Sequence, residues 1–245
     1  MQIDHSENIV ELKNISFAYG GKNVLEDITF NVHKGDYLGI VGPNGGGKTT
    51  LLKIIIGLLT PSHGTVHLFG QDICCFNKWS KIGYVPQKAT NFDNSFPLTV
   101  EEVVTMGRYG KPKNDKIVLQ SLKQVEMLEF RNKLIGDLSG GQQQRVFIAK
   151  ALAGEPEIIF LDEPTVGVDL KTQEQFYRIL KDLNKKLKLT LVLISHDIDV
   201  IASETTEIAC VNKKLIYDNN PENFLRSEKL KKLYGSGVKF VFHTH

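Results

Sequence analysis

The octapeptide "GPNGGGKT" at residues 42–49 fits the spacing G-x-x-x-x-G-K-[ST] in full and follows the apolar run "DYLGIV" at 36–41. A loop of this kind works only between a buried strand and the first turn of a helix, so it commits the chain to an α/β core. The glycines let the backbone wrap phosphates. Lys48 brings a positive charge to the β- and γ-phosphates, and the Thr49 hydroxyl is a ligand for Mg²⁺. The reading is therefore a nucleoside triphosphate held by Gly42, Pro43, Asn44, Gly45, Gly46, Gly47, Lys48, Thr49 and Thr50.

The pattern around the loop agrees. "IVELKNISFAY" (9–19) and "LEDITFNV" (25–32) alternate apolar and polar residues across the turn "GGKN" and predict an antiparallel pair. A helix is expected over about 48–58, then a strand in "TVHLFG". From about residue 88 helical pieces are broken by "NFDNSFP", "RYGKPKN" and "RNKLIGD", which marks an insertion. After it come a helix following Ser139, a strand in "EIIFLD" (157–162), a helix over 172–185, a strand in "LTLVLIS" (189–195) and short strands around 208–211 and 214–217.

A second chemical feature closes the strand "EIIFLD", which ends in the adjacent carboxylates Asp162 and Glu163. In the same sheet as the glycine loop, Asp162 would lie near the Mg²⁺, while Glu163 would orient or deprotonate an attacking water. Binding combined with a candidate base suggests hydrolysis.

Composition limits the partners. With 245 residues and 41% hydrophobic content the chain can bury a large core. Its formal charge of +2 gives no global field toward nucleic acid or an acidic membrane. The three cysteines lack metal-ligand spacing and read as reduced thiols, with Cys210 in a predicted strand and expected in the core. The amino terminus has no basic segment leading into an apolar one, and the longest uncharged run is broken by glycine, proline and histidine. A soluble chain is expected, and any membrane role requires another subunit.

"LSGGQ" at 138–142, shortly before the "LDE" strand, is the signature of the ATP-binding cassette (ABC) ATPases, and the chain resembles that family over nearly its whole length. The resemblance implies one cassette: a P-loop (RecA-like) α/β core with an antiparallel β subdomain in 1–87 and 148–245, and a helical subdomain inserted at 88–147. It implies ATP and Mg²⁺ as ligands. Tyr19 matches the aromatic that stacks on adenine, Gln87 in "YVPQ" the glutamine that reaches metal and water, Asp169 the aspartate of the loop crossing to a partner subunit, and His196 the switch histidine at the γ-phosphate. Leu138, Ser139, Gly140, Gly141 and Gln142 would contact the ATP bound to a second copy, in a head-to-tail dimer. A plainer reading stands beside this one, because S-x-x-Q is also a capping box that starts a helix without any ligand.

The span between Gln87 and Ser139 is too short for the coiled coil of the DNA-acting members, and a single set of motifs differs from the two-cassette translation factors. A transporter subunit fits better. "NKLIGDLSGG" looks like the importer pattern, and "GPNGGGKTTLLK", "YVPQKATNFDNSFPLTVEEVV" and "DEPTVGVD" are similar to the zinc and manganese uptake group. The resemblance thus implies an ATPase on the cytoplasmic face of the membrane, bound to permease subunits near residues 90–105 and linked through them to an extracytoplasmic substrate-binding protein, with no nucleic acid. Importers of iron chelates or cobalamin, a non-transport regulatory ATPase and a simple P-loop kinase are the other readings. At the carboxy terminus, alternation in "VKFVFHTH" would put His243 and His245 on one strand face as a regulatory metal pair, against the alternative of a frayed tail.

Overall fold

Strands β1 (Asn8–Tyr19) and β2 (Lys22–His33) lead into β3 (Tyr37–Val41), the glycine loop and helix α1 (Lys48–Ile55). There follow β4 (His63–Leu68), β5 (Gln71–Asp72), β6 (Ile82–Val85), α2 (Val100–Thr105), α3 (Asp115–Gln124), α4 (Gly140–Ala153), β7 (Ile158–Asp162) and α5 (Leu170–Leu187). The chain ends through β8 (Thr190–Ile194), α6 (Ile198–Glu204), β9 (Glu207–Asn212) and β10 (Lys214–Asn219). This computed structural model describes residues 7–87, 97–165, 168–219 and 221. His243, His245 and the first part of the expected docking segment, 90–96, lie outside the described residues.

The contacts divide the chain into two units, residues 1–77 with 192–245 and residues 78–191. In the first, β2, β1, β4 and β5 form an antiparallel sheet in that order. The alternation read from sequence is visible in it: Val10, Leu12, Ile15, Phe17, Leu25, Ile28, Phe30 and Val32 are buried. The regular pleat breaks where Asn14 and Asp27 both take positive φ, 54° each, and the Asn14 amide donates to the Asp27 carboxylate at 2.7 Å. In the same unit β3 pairs in parallel with β9, Leu38 facing Glu207 and Val41 facing Cys210, and β10 runs antiparallel to β9. All five residues of β3 are buried, as a strand covered on both faces requires.

In the second unit β6 and β7 pair in parallel, from Ile82 with Ile158 to Val85 with Leu161, and β7 is again buried throughout. Helices α2, α3 and α4 pack on one another. A capping box starts α2, with the Thr99 hydroxyl and the Glu102 carboxylate each meeting the other's backbone N–H. The apolar stripe of α5, Phe176, Tyr177, Ile179, Leu180 and Leu183, recurs at helical spacing and is buried. Strand β8 crosses the division between Leu191 and Val192.

Several boundaries differ from the expectation by a few residues, and two of them have a direct physical cause. Helix α1 ends three residues early because Gly57 turns left-handed (φ 73°). The strand after it begins at His63 because the Ser62 N–H is already bonded to the Ser16 carbonyl.

Candidate functional site

The phosphate loop is held from behind by the turn between β9 and β10. The Lys213 N–H donates to the Gly46 carbonyl at 2.9 Å, and the Glu26 N–H donates to the Lys213 carbonyl at 2.7 Å. A Cβ on Gly42 (φ 152°) would lie 2.0 Å from the Val211 carbonyl oxygen. Gly47 serves as N-cap of α1 in the left-handed region (φ 98°), where a Cβ would lie 2.6 Å from Leu25. Only glycine fits either place.

No side chain caps α1, and its first turn holds no acidic residue. The positive end of the helix dipole thus meets no acidic side chain from its own first turn, which suits it to an anion. Lys48 is 4% exposed, and its ammonium donates to the carbonyls of Gly42 at 2.9 Å and Pro43 at 3.2 Å, so the cation sits inside the curve of its own loop. Thr49 and Thr50 follow in the first turn, both half-buried. Cys210, beside this loop in β9, has its thiol pushed up to about 12 by burial, against a smaller opposing pull from Lys48.

Tyr19, at the end of β1, is 50% exposed and meets Phe17 edge to face at 4.7 Å, so part of its ring is open for stacking. His196 lies exposed just past β8, in a turn where the Asp197 N–H is bonded to the Ser195 hydroxyl at 3.0 Å and the Ser195 N–H to the Ile40 carbonyl at 3.2 Å.

The second unit brings three predicted residues together at the ends of β6 and β7. Asp162 is buried as the last residue of β7. Its charge adds to burial, the larger cause, in raising the Tyr84 phenol. Glu163 follows at φ 44°, an uncommon conformation for a non-glycine residue and a strain of about 1–2 kcal/mol of the kind that gathers at working sites. Its Oε2 accepts from the Gln87 side-chain amide at 2.8 Å. That bond leaves the amide carbonyl of Gln87 as the atom able to meet a cation.

The signature segment opens α4 as a helix cap. The Ser139 hydroxyl accepts from the Gln142 N–H at 3.4 Å and the Gln142 side chain accepts from the Ser139 N–H at 3.0 Å, a complete capping box at the start of α4. Ser139 and Gly140 are nonetheless exposed, and the first turn of α4 carries no acidic residue. Leu138 is buried, while Gly141 lies against α5, where an added Cβ would fall 2.2 Å from the Thr172 methyl. The hydroxyl and N–H of Thr172 both donate to Asp169, at 2.7 and 3.1 Å. These bonds hold the Asp169 carboxylate below its usual range and make it the cap of α5.

The sequence profile of the ABC transporter family matches residues 25–166. This chain belongs to the ABC transporter family. It is 42% identical to the zinc uptake system ATP-binding protein ZurA of Listeria monocytogenes over 226 residues, 89% of this chain and 88% of that protein. It is 40% identical to the manganese transport system ATP-binding protein MntB of the same organism over 235 residues, 92% of this chain and 96% of that protein. Among solved structures, the dimeric post-hydrolysis state of the ATP-binding cassette MJ0796, bound to ADP and Pi, superposes with a TM-score of 0.74 at 33% identity, covering 86% of this chain and 98% of that one. The α/β architecture and nucleotide binding follow from this membership, as does ATPase activity.

Some features of this ABC cassette had no sequence signal. The backing of the loop by Val211 and Lys213 depends on backbone proximity alone. Met106 and the start of "RYGKPKN", a segment expected only to break the helical pattern, line a groove of about 770 Å³ together with Thr99 and Glu102, with Tyr109 96% exposed on its rim.

Proposed function

We propose that this chain is the ATP-hydrolysing subunit of a zinc or manganese importer, bound to permease subunits at the cytoplasmic face of the membrane. The uncapped, acid-free start of α1 behind a loop that admits only glycine supports the nucleotide half of this reading. The names of ZurA and MntB support the metal half.

The residues divide the work. The loop from Gly42 to Thr50 and Lys48 hold the phosphates of ATP, and Tyr19 stacks on the adenine. Thr49, Asp162 and Gln87 offer a hydroxyl, a carboxylate and an amide carbonyl, an all-oxygen set that suits Mg²⁺. When bound, that ion neutralises charge on the phosphates. Glu163 takes a proton from the attacking water, positioned for it by the amide of Gln87. His196 steadies the γ-phosphate.

Ser139, Gly140 and Gly141 complete the site of a second copy. A capped helix start with two exposed residues can still present N–H groups to an anion, and the dimeric MJ0796 cassette supports the pairing. Asp169 caps α5 in the loop expected to cross to the partner. The permease docks at 90–105, the end of which, with Thr99, Glu102 and Thr105, borders an open groove that could receive a helix. An extracytoplasmic substrate-binding protein delivers the metal to that permease.

The test uses Glu163→Gln. It should bind ATP nearly as the native chain does, stop turnover and accumulate as a dimer at saturating ATP. Monomer under those conditions would remove the paired site. For the cargo, cells lacking the protein should lose zinc or manganese by elemental analysis, and unchanged contents would sink the metal reading.

A further inference from the structure

The turn from β2 to β3 brings two metal-ligating side chains together, and the first residue of β9 adds a third. The Asp36 N–H donates to the His33 carbonyl at 3.2 Å, which folds the turn so that His33 Nδ1 lies 3.2 Å from Asp36 Oδ2. The same oxygen accepts from the His33 backbone N–H at 2.7 Å, fixing the orientation of the carboxylate. Glu207 is tied to this turn through the strand beside it. The Thr206 N–H donates to the Tyr37 carbonyl at 2.9 Å, the Tyr37 N–H donates to the Thr206 hydroxyl at 3.0 Å, and Leu38 pairs with Glu207.

One ligand atom from each of His33, Asp36 and Glu207 lies within 4.8 Å of the other two. Bonds of about 2.0–2.2 Å to a tetrahedral ion put neighbouring ligand atoms roughly 3.3–3.6 Å apart. His33 Nδ1 and Asp36 Oδ2, at hydrogen-bond distance, stand close to that separation, and an ion between them would replace the direct contact. Asp36 is only 1% exposed, so two carboxylates are gathered where one is almost out of water. Two carboxylates and one imidazole form a ligand set whose charge matches a divalent cation. The imidazole nitrogen discriminates against Mg²⁺ and Ca²⁺, which prefer oxygen, and suits a first-row transition ion.

We propose that His33, Asp36 and Glu207 form a binding site for one first-row divalent transition-metal ion, separate from the nucleotide's metal. The separation follows from the strands. Both β3 and β9 begin at this cluster and end at the phosphate loop, and five residues of β3 span about 17 Å. The proposal goes beyond the importer reading and does not depend on it.

The full-length protein, without nucleotide or Mg²⁺, is titrated with Zn²⁺ by calorimetry and with Co²⁺ by visible absorption. The native chain should bind one ion here, with the intense d–d bands of four- or five-coordinate Co²⁺. His33→Ala and Glu207→Gln should each weaken that site at least tenfold. A hundredfold excess of Zn²⁺ over its Kd should raise Tm by roughly 5 °C or more in the native chain and not in the variants. Glu207→Gln is nearly isosteric, so it decides the matter alone should His33→Ala not fold, and ATP affinity, expected to be unchanged, reports on folding. A full-length His243→Ala/His245→Ala chain separates any contribution of the tail. Equal affinity and stoichiometry in the native chain, His33→Ala and Glu207→Gln would overturn the site, as would loss of binding only in the tail variant. Either failure would leave the importer reading standing.

Discussion

The side-chain amide of Gln87 donates to Oε2 of Glu163 at 2.8 Å, joining two residues 76 positions apart in the chain. With Glu163 as the base, this bond fixes which oxygen is engaged and where the other points. Gln87→Glu replaces the donor by a second carboxylate, and two such groups in contact cannot both ionise. The shared proton raises the apparent pKa of the pair, so the base is lost as pH falls through the raised value. At pH 7 kcat should drop at least tenfold and recover as pH increases, with ATP affinity little changed. A pH profile identical to the native one would mean that this contact lies outside the working site.

Ser139 is a cap in this structure and a phosphate ligand in the proposed dimer, and one substitution separates the roles. Aspartate caps a helix about as well as serine, so Ser139→Asp should leave Tm within about a degree of native. It also places a negative charge where the partner's γ-phosphate is to lie. In a Glu163→Gln background it should therefore abolish ATP-dependent dimerisation, measured by light scattering. Ser139→Ala should show the reverse emphasis, losing about 1 kcal/mol of stability and part of the dimer. Full dimerisation by Ser139→Asp would reduce the signature to a cap.

The three cysteines should react in a fixed order. Cys74 and Cys75 are exposed in a short turn and Cys210 is buried. A hydrogen bond to the Asp72 carboxylate, and then its charge, hold the Cys74 thiol above its usual range. A higher pKa means less thiolate at a given pH and slower attack. Maleimide at pH 8, followed by mass spectrometry, should label Cys75 first, Cys74 next and Cys210 only after unfolding. Asp72→Asn should speed Cys74 and leave Cys75 unchanged. Early labelling of Cys210 would show that β9 opens.

What sequence reveals here is mostly local. The strand, glycine loop and helix around Lys48 share one stretch with its own periodicity, and the Ser139–Gln142 box needs only a spacing of three. The pairing of β1 with β2 was equally plain from alternation. The Gln87–Glu163 bond and the grip of Val211 on Gly42 arise from strands meeting in a sheet, which no short window contains. Helix α6 went unread because seven residues give too few turns for a period to emerge. "RYGKPKN" looked like a simple break because a basic residue that serves a distant helix end is indistinguishable, in sequence, from one in solvent.

Arg108 is that residue. Its guanidinium is 7% exposed and donates to the carbonyls of Pro112 at 3.0 Å and Ala153 at 3.1 Å, and to the Glu155 carboxylate at 3.0 Å. Lys111 donates to the Gly154 carbonyl, and Gly107 allows the approach, since a Cβ there would fall 1.8 Å from the Lys150 carbonyl oxygen. The carbonyls at the end of α4 are thus satisfied by side chains from the preceding turn, where the helix dipole also favours cations. Glu155 is half exposed, so its pairing is worth under about 1 kcal/mol, whereas stranding a buried carbonyl costs about 1–3 kcal/mol. Arg108→Ala should therefore lower Tm by roughly 5–10 °C at 2–4 °C per kcal/mol, while Glu155→Ala costs only a degree or two. Arg108→Lys should fall between them, because an ammonium cannot reproduce the planar fork. Equal losses in Arg108→Ala and Glu155→Ala would assign the stability to the ion pair and remove the helix-end role.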